Sequence, residues 1–312
     1  MYHILEDYFK RKDYFVIVDQ FSLFNPEITS DIVDVVAVNW AHENLLDAIA
    51  VECKMEKEPK ISALASIQQA IEYQICFPKV YVATQEGDIK YAKTFFELNG
   101  VGHLAIDSSS TDVIDKLAPK KSVLFDKSVF NLNIKDRLII VLVFRDIFGK
   151  DNFRYGEMNT HGWAAKDFRS NVQLNCCYDP DDGIVSSGLN LERKQGFRSL
   201  HKKFNTTEFH ESLKDLPDDY ILGVCIDLWP RGEGEWIFQN RQANKVSKKD
   251  LDIIVNGIKA VLMRNRATER PHMWISHDVW SNKHCLSRDE YASKIKTTLV
   301  ELQPIFTCLG VM

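Results

Sequence analysis

The sequence predicts an α/β fold in which helices flank a mixed central sheet, followed by a second α+β domain. Two short runs rich in β-branched residues, Asp31–Val38 and Ala48–Lys54, predict neighbouring strands of a hairpin. Ile61–Phe77 contains neither proline nor glycine and predicts a helix, and Lys79–Thr84 predicts the next strand. The order strand, strand, helix, strand therefore forms the core of the first domain.

The same patterns predict the other elements in order along the chain. In the first half they are a helix at His3–Arg11, a strand at Tyr14–Phe24, a helix at Asp88–Leu98, a strand at Gly102–Asp107 and a helix at Ile134–Phe148. Ser108–Asp112 is expected to open a further helix by capping it. In the second half they are two hairpins, Val172–Tyr178 with Ile184–Leu191 and Tyr220–Trp229 with Glu235–Asn240, and helices at Lys248–Arg264 and Arg288–Leu302.

Length and composition bound the class of protein. A chain of 312 residues exceeds the usual size of one domain, so we expect two domains, 1–150 and 151–312. With 45% hydrophobic and 27% charged residues, the disordered and collagen-like classes are excluded. The N-terminal residues do not have the pattern of a signal peptide and no apolar run reaches the length of a membrane span, so a cytoplasmic protein with no membrane partner is expected.

Charge and cysteine content narrow the expectations further. The first 150 residues carry the whole formal charge of −5, and the remainder is neutral with local basic clusters. The seven cysteines form no C-x-x-C pair, which argues against a zinc ribbon and a disulfide framework. They are expected to be reduced thiols, mostly in the core.

The polar residues at the ends of the predicted hairpin strands form the main candidate site. Glu52 and Lys54 project from one face of their strand and Cys53 from the other, because side chains alternate along a strand. Asp34 is available from the adjacent strand. Asp31 is the rival acid, but it lies three residues earlier and therefore on the opposite face. Carboxylates from adjacent strands can hold Mg²⁺ against a phosphate while an amine stabilises negative charge, which indicates metal-assisted phosphodiester cleavage.

This pattern resembles the PD-(D/E)xK nucleases of the restriction-endonuclease-like fold. In that family an acid at the end of one strand precedes a Glu-x-Lys on the next, which Asp34 and Glu52-Cys53-Lys54 match. Gln69 and Tyr73, one turn apart on the predicted helix, are similar to the Gln-x-x-x-Tyr signature of the RecB-like branch. The resemblance covers roughly residues 1–107.

The resemblance implies a Mg²⁺-dependent deoxyribonuclease, with Mn²⁺ as an alternative metal and DNA as substrate. Asp34, Glu52 and the backbone carbonyl of Cys53 would hold the metal, and Glu6 on the first helix is a candidate auxiliary ligand, although a solvated helix acid is the commoner case. Lys54, Gln69 and Tyr73 would complete the catalytic set. Double-strand cutting by this fold commonly pairs two active sites, which makes a homodimer plausible.

Two segments of the second half are candidate nucleic-acid contacts. The first is a basic run whose predicted phosphate-binding residues are Arg193, Lys194, Arg198, Lys202 and Lys203. The second is a predicted loop, Asn159–Trp163, in which Trp163 could stack on bases with Lys166 and Arg169 nearby. Runs of charged residues are often only part of the solvated surface, and tryptophans are often buried against a sheet. Both segments could therefore have a purely structural role.

Two further interpretations are kept and a third is set aside. The chain could be a non-catalytic nucleic-acid-binding protein of the same fold, or a nuclease regulated by a small ligand bound to the second domain. His277-Asp278 and His284-Cys285 superficially suggest a nuclease motif or a zinc site, but their spacing fits neither, and local hydrogen bonding is expected instead.

Overall fold

The computed structural model describes residues 1–23, 32–42, 45–54, 60–85, 93–107, 109–158, 161–228, 234–264, 266–284 and 286–312. Its helices are α1 (Tyr2–Lys10), α2 (Lys60–Cys76), α3 (Lys93–Asn99), α4 (Lys127–Asn133), α5 (Lys135–Phe148), α6 (Lys194–Leu200), α7 (Thr207–Lys214), α8 (Lys248–Arg264) and α9 (Arg288–Leu309). Its strands are β1 (Phe15–Ser22), β2 (Ile32–His42), β3 (Leu45–Lys54), β4 (Lys79–Gln85), β5 (Gly102–Ile106), β6 (Val113–Leu117), β7 (Arg154–Met158), β8 (His161–Asp167), β9 (Val172–Asp179), β10 (Ile184–Leu191), β11 (Ile221–Leu228), β12 (Trp236–Gln242) and β13 (Glu269–Ser281).

The chain forms two compact units. The first consists of Met1–Leu142, Gly156–Gly162 and Leu286–Arg288, and the second of Val143–Tyr155, Trp163–Cys285 and Asp289–Met312. The chain thus first passes between the units inside α5, a few residues before the predicted boundary at residue 150. Two short later segments then return to the first unit.

A six-stranded mixed sheet, in the order β1 to β6, forms the centre of the first unit. The strands β1, β2 and β3 pair antiparallel, and β3, β4 and β5 pair parallel. Helix α2 makes the crossover that a parallel β3–β4 pair requires. The apolar side chains of α1, including Leu5 and Phe9, pack on the sheet face that carries Val35 and Val51. Hence the mixed α/β prediction is confirmed.

A seven-stranded sheet, in the order β12-β11-β13-β10-β9-β8-β7, forms the centre of the second unit. Both hairpins predicted in this half, β9–β10 and β11–β12, are antiparallel pairs. Along β13, buried residues alternate with exposed or half-exposed ones from Glu269 to Ser276, so one sheet face is packed and the other is partly open. No helix in the described part of the chain is long and apolar enough to cross a membrane.

Three sequence-based expectations are wrong for identifiable reasons. The predicted strand limits at Val38 and Ala48 are too short, because β2 continues to His42 and β3 begins at Leu45. Residues 109–112, the described part of the segment Ser108–Asp112, do not open a helix. Instead the Asp107 carboxylate accepts hydrogen bonds from Ser109 and Ser110, and the chain turns into β6, which pairs antiparallel with β5.

The third correction concerns two strands, β8 and β13, that were not predicted from the sequence. Gly162 and Trp163 belong to β8 and not to a loop, while Asn159 and Thr160 lie outside the described residues. The central strand β13 was not predicted, because its Pro271 and its histidines interrupt the apolar alternation that marks a strand.

Candidate active site

The carboxylate of Asp34 joins the ends of β2 and β3. Backbone pairing between the two strands begins at Val35 and Val51. One step beyond this pair, Asp34 Oδ2 accepts a hydrogen bond of 2.7 Å from the backbone N–H of Cys53. Its other oxygen, Oδ1, accepts a hydrogen bond of 2.8 Å from the hydroxyl of Tyr2 on α1. The side chain of Asp34 therefore continues the ladder and fixes an acid beside the Glu-x-Lys segment.

Glu52 is held by partners on two elements. Its Oε1 lies 3.1 Å from Nζ of Lys54, two residues along the same strand. Its Oε2 accepts a hydrogen bond of 3.0 Å from the hydroxyl of Tyr73 on α2. The Glu52 residue is only 4% exposed, whereas the Lys54 side chain is 28% exposed. The predicted shared face of Glu52 and Lys54 is thus observed, with the amine nearer to solvent.

The electrostatics of Glu52 reflect two nearby negative charges in a poorly solvated place. Burial raises the pKa of Glu52, and the charge of Asp34 raises it further. The hydrogen bonds and charge of Lys54 and the hydrogen bond from Tyr73 act in the opposite direction. Two crowded carboxylates beside one ammonium group form an arrangement that an added cation would stabilise.

The two faces of β3 have different surroundings. Cys53 packs against the apolar cluster that includes Leu5 and Phe9 of α1. Burial is the main reason why the pKa of its thiol is raised above the usual range. A protonated, apolar thiol is a poor ligand for Mg²⁺, so only the backbone carbonyl of Cys53 is suited to that metal.

The donor set of Asp34 and Glu52 fits Mg²⁺. Among the described residues, each of the four carboxylate oxygens has one partner, namely Tyr2, the Cys53 amide, Lys54 or Tyr73. A carboxylate oxygen has two lone pairs, so each oxygen retains one for a metal. Mg²⁺ needs only one or two carboxylates because it keeps several of its waters.

The remaining candidate residues of the first unit have other surroundings. Glu6 forms an ion pair of 2.6 Å with Lys10, one turn further along α1, and does not join Asp34 and Glu52 in a compact group of three carboxylates. Tyr2 is the α1 residue that reaches Asp34. Gln69 is half-buried, one turn before Tyr73. Asp31 lies outside the described residues.

The basic run of the second unit is divided between surface and structural roles. Arg193, Arg198 and Lys202 are exposed. Lys194 instead donates a hydrogen bond to the backbone carbonyl of Arg266, and Lys203 donates one of 2.7 Å to the carbonyl of Leu309 near the end of α9. A cation at a helix C-terminus satisfies an otherwise unpaired carbonyl. Lys194 and Lys203 are therefore partly occupied by the fold itself.

The second predicted contact segment is also mixed. Trp163 is half-buried in β8 opposite Cys177, and Lys166 lies 5.9 Å from the centre of the Phe148 ring. Arg169 is exposed in a short turn before β9. These residues belong to strand and turn, so a base-stacking loop at Trp163 is not what the structure presents.

His284 makes the predicted local hydrogen bond, because its Nδ1 accepts one of 3.2 Å from the backbone N–H of Ser281. His277 lies in β13, and its partners are distant along the chain. His277 Nδ1 lies 3.1 Å from Asp219 and its Nε2 lies 2.9 Å from Thr298, while its ring stacks on Tyr220. Cys285 lies outside the described residues.

Sequence reasoning missed two sets of polar residues. Tyr2 carries no local signal, because only the docking of α1 brings it to Asp34. The described residues also contain one compact group of metal-binding side chains, formed by Cys225, Asp227 and His272. The spacing of Cys225 and Asp227 places both on one face of β11, but the sequence does not reveal that His272 faces them.

Comparisons of the chain with protein-family models, curated proteins and solved structures found no match.

Proposed function

We propose that this protein is a metal-dependent nuclease of the PD-(D/E)xK type that hydrolyses DNA phosphodiester bonds, as an endonuclease of restriction, defence or repair. The observation that carries the proposal is the hydrogen bond from the Cys53 amide to the Asp34 carboxylate. It holds an acid from β2 against the Glu52-Cys53-Lys54 segment of β3. The order of the first unit, three antiparallel strands, a crossover helix and a parallel strand, also supports a restriction-endonuclease-like fold.

The side chains divide the work of hydrolysis among them. Asp34 and Glu52 would hold Mg²⁺, which supplies charge neutralisation at a phosphate and makes a bound water more acidic. Lys54 is partly exposed next to Glu52, where its ammonium group can orient the attacking water and stabilise the negative charge that develops on the phosphate. Tyr73 fixes the Glu52 carboxylate from α2, and Tyr2 fixes that of Asp34 from α1.

The decisive test is cleavage of supercoiled plasmid by the purified protein with Mg²⁺, with Mn²⁺ and with EDTA. We expect nicking or linearisation that needs the metal, and its loss by at least about 10³-fold in Glu52→Gln, which removes a charged ligand at nearly constant volume. The matched control is Glu72→Gln. Glu72 is a carboxylate on α2 whose described partner is Gln68, and its substitution should leave cleavage unchanged.

The opposite result would favour a non-catalytic protein of the same fold. Absence of metal-dependent cleavage on duplex DNA, single-stranded DNA and RNA would contradict the proposal, provided that the protein is folded. Cleavage that persists in Glu52→Gln would place the chemistry elsewhere in the chain.

A further inference from the structure

The open face of the second sheet carries a cluster of metal-binding side chains that the nuclease site does not use. Cys225 and Asp227 lie two residues apart on β11 and so share a face. His272 of β13 pairs directly with Cys225 in the antiparallel register. One ligand atom from each of the three residues lies within 4.8 Å of those of the other two. The neighbouring Val224, Ile226 and Met273 point the other way into the core.

The hydrogen bonds around His272 fix which nitrogen is available to a ligand. The Asn190 amide nitrogen donates to Glu192 at 2.6 Å, which leaves the Asn190 Oδ1 as an acceptor toward His272 Nε2 at 2.7 Å. Nε2 must then carry the proton. The other nitrogen, Nδ1, faces Asp227 Oδ2 at 3.8 Å, which is too long for a hydrogen bond. A histidine whose second nitrogen is held by a polar partner in this way is the usual arrangement of a metal ligand.

We propose that Cys225, Asp227 and His272 form a binding site for a transition-metal ion of the Zn²⁺ class. Thiolate, imidazole and carboxylate are the donors that Zn²⁺ takes, and tetrahedral bonds of about 2.0 to 2.3 Å place neighbouring ligand atoms about 3.3 to 3.7 Å apart. The ligand atoms of the cluster lie within 4.8 Å of one another, so binding requires them to approach by up to about 1 to 1.5 Å through side-chain rotation. Binding releases the proton of the Cys225 thiol to solvent and leaves the fourth position to water.

The chemistry of the cluster distinguishes this site from the one on β2 and β3. A Mg²⁺ ion prefers oxygen ligands alone, whereas sulfur and nitrogen donors select softer ions. The half-exposed position of the cluster gives an ion access from solvent, since the side chains of His272 and Asp227 are 24% and 36% exposed. Asn190 is a positioning residue, because it orients the His272 ring without offering a ligand atom of its own.

Cobalt binding to the full-length, chelator-treated protein tests the proposal. Under reducing conditions we expect one thiolate-bound Co²⁺ per chain in the Glu52→Gln protein, with a near-ultraviolet thiolate-to-cobalt absorption band and the visible bands of a tetrahedral ion, all displaced by Zn²⁺. Trp274 provides a second readout, because its ring centre is 4.9 Å from that of His272 and bound Co²⁺ should quench its fluorescence. Element analysis after dialysis against Zn²⁺ gives the stoichiometry independently.

Variants assign the ligands. Cys225→Ser should lose the thiolate band, Asp227→Asn and His272→Gln should each weaken binding at least about tenfold, and Asn190→Ala should weaken it about 10- to 100-fold. The matched control is Cys177→Ser, a half-buried thiol on β9, which should bind as the unaltered protein does. Circular dichroism on each variant separates loss of the site from loss of the fold.

Two results would overturn the proposal. The first is a folded, reduced protein that takes up neither Co²⁺ nor Zn²⁺ in the presence of a weak competing chelator. The second is a thiolate band that survives in Cys225→Ser. The Glu52→Gln protein should still bind Co²⁺ normally at this cluster. Plasmid cleavage therefore tests the nuclease proposal, and cobalt binding tests this proposal independently.

Discussion

The two units place their candidate metal ligands on the sheets in different ways. In the first, oxygen donors gather where β2 and β3 end, and the carboxylate of Asp34 takes the place of the next backbone pair. In the second, sulfur, nitrogen and oxygen donors face one another across the β11–β13 ladder. A strand end leaves a carboxylate free to contact a large substrate, whereas a site within a ladder is fixed on both sides by backbone pairing. The first arrangement therefore suits chemistry on a polymer, and the second suits tight retention of a small ion.

The largest expected effect separates metal binding from chemistry in the first unit. Asp34→Ala and Lys54→Ala should both reduce plasmid cleavage by at least about 10²-fold, because one removes a ligand and the other removes the cation that stabilises developing charge. Only Asp34→Ala should also weaken Mn²⁺ binding, measured by calorimetry in the protein whose second-unit cluster carries Cys225→Ser. Equal loss of metal affinity in both variants would mean that Lys54 acts only by supporting Glu52.

Acid should weaken the first unit through a histidine two strands away from Lys54. Lys54 pairs with Thr84, and the Thr84 hydroxyl lies 2.9 Å from His103 Nε2. Burial, with a smaller contribution from Lys116, lowers the pKa of His103 from 6.5 to about 4. Between pH 6.5 and about 4, the unfolded chain therefore binds a proton at this histidine and the folded chain does not. The free energy of unfolding has its full value above pH 6.5 and falls as the pH decreases through this interval.

Urea unfolding at several pH values measures this effect. We expect a loss of about 2 kcal/mol between pH 7 and pH 4.5, after allowance for partial solvent screening. His103→Gln should remove most of that pH dependence, and a matched His201→Gln should retain it, since His201 is partly exposed in the second unit. Parallel pH curves for the unaltered protein and His103→Gln would contradict the assignment.

A smaller effect tests whether the second unit holds nucleic acid. Arg193, Arg198 and Lys202 are exposed, so their joint replacement by Gln should lower duplex affinity about tenfold and reduce the salt dependence by up to about 3 units of slope. Binding is measured over a series of salt concentrations with Ca²⁺ in place of Mg²⁺. Lys194 and Lys203 are left intact because the fold uses them. The control variant replaces Lys248, Lys249 and Lys259, which are exposed on α8. If both variants show the same salt dependence of duplex affinity, the basic run makes no specific phosphate contacts and is an ordinary solvated surface.

The smallest effect concerns the hydroxyl that supports Glu52. Tyr73→Phe deletes the hydrogen bond of 3.0 Å to Oε2 and should slow cleavage about five- to tenfold, equivalent to about 1 kcal/mol. Tyr14→Phe is a close control, because Tyr14 also donates to a carboxylate of the first sheet, Asp47, at 2.6 Å. Its substitution should leave the rate unchanged. Equal slowing by both changes would indicate a general loss of stability.

The sequence predicted the grouping of Asp34, Glu52 and Tyr73 but not the cluster in the second unit, and the reason is the order of the elements along the chain. Asp34, Glu52 and Tyr73 lie on consecutive elements, and the alternation of a strand and the turn of a helix fix which faces they share. The cluster of Cys225, Asp227 and His272 needs β13 to insert between β11 and β10. No local pattern specifies that insertion, and Pro271 obscures the strand itself.

The same limit explains the basic run. Composition shows five cations near one another, but only the packed helices show that Lys203 serves the Leu309 carbonyl. The buried position of Phe197, which is 0% exposed, likewise follows from tertiary packing and not from its basic neighbours. Sequence alone therefore overstates the surface available for phosphate contacts.

The continuation of the β2–β3 ladder by a side chain restricts how the first hairpin can change in evolution. A single inserted residue within either strand would turn the acids at its end to the opposite face, because strand side chains have a period of two. Inserting two residues would restore the face but move Asp34 by about 7 Å relative to the Cys53 amide. Related chains that keep the same chemistry should therefore vary in length between His42 and Leu45. Each strand should keep the same number of residues between its paired valine, Val35 or Val51, and the acid at its end.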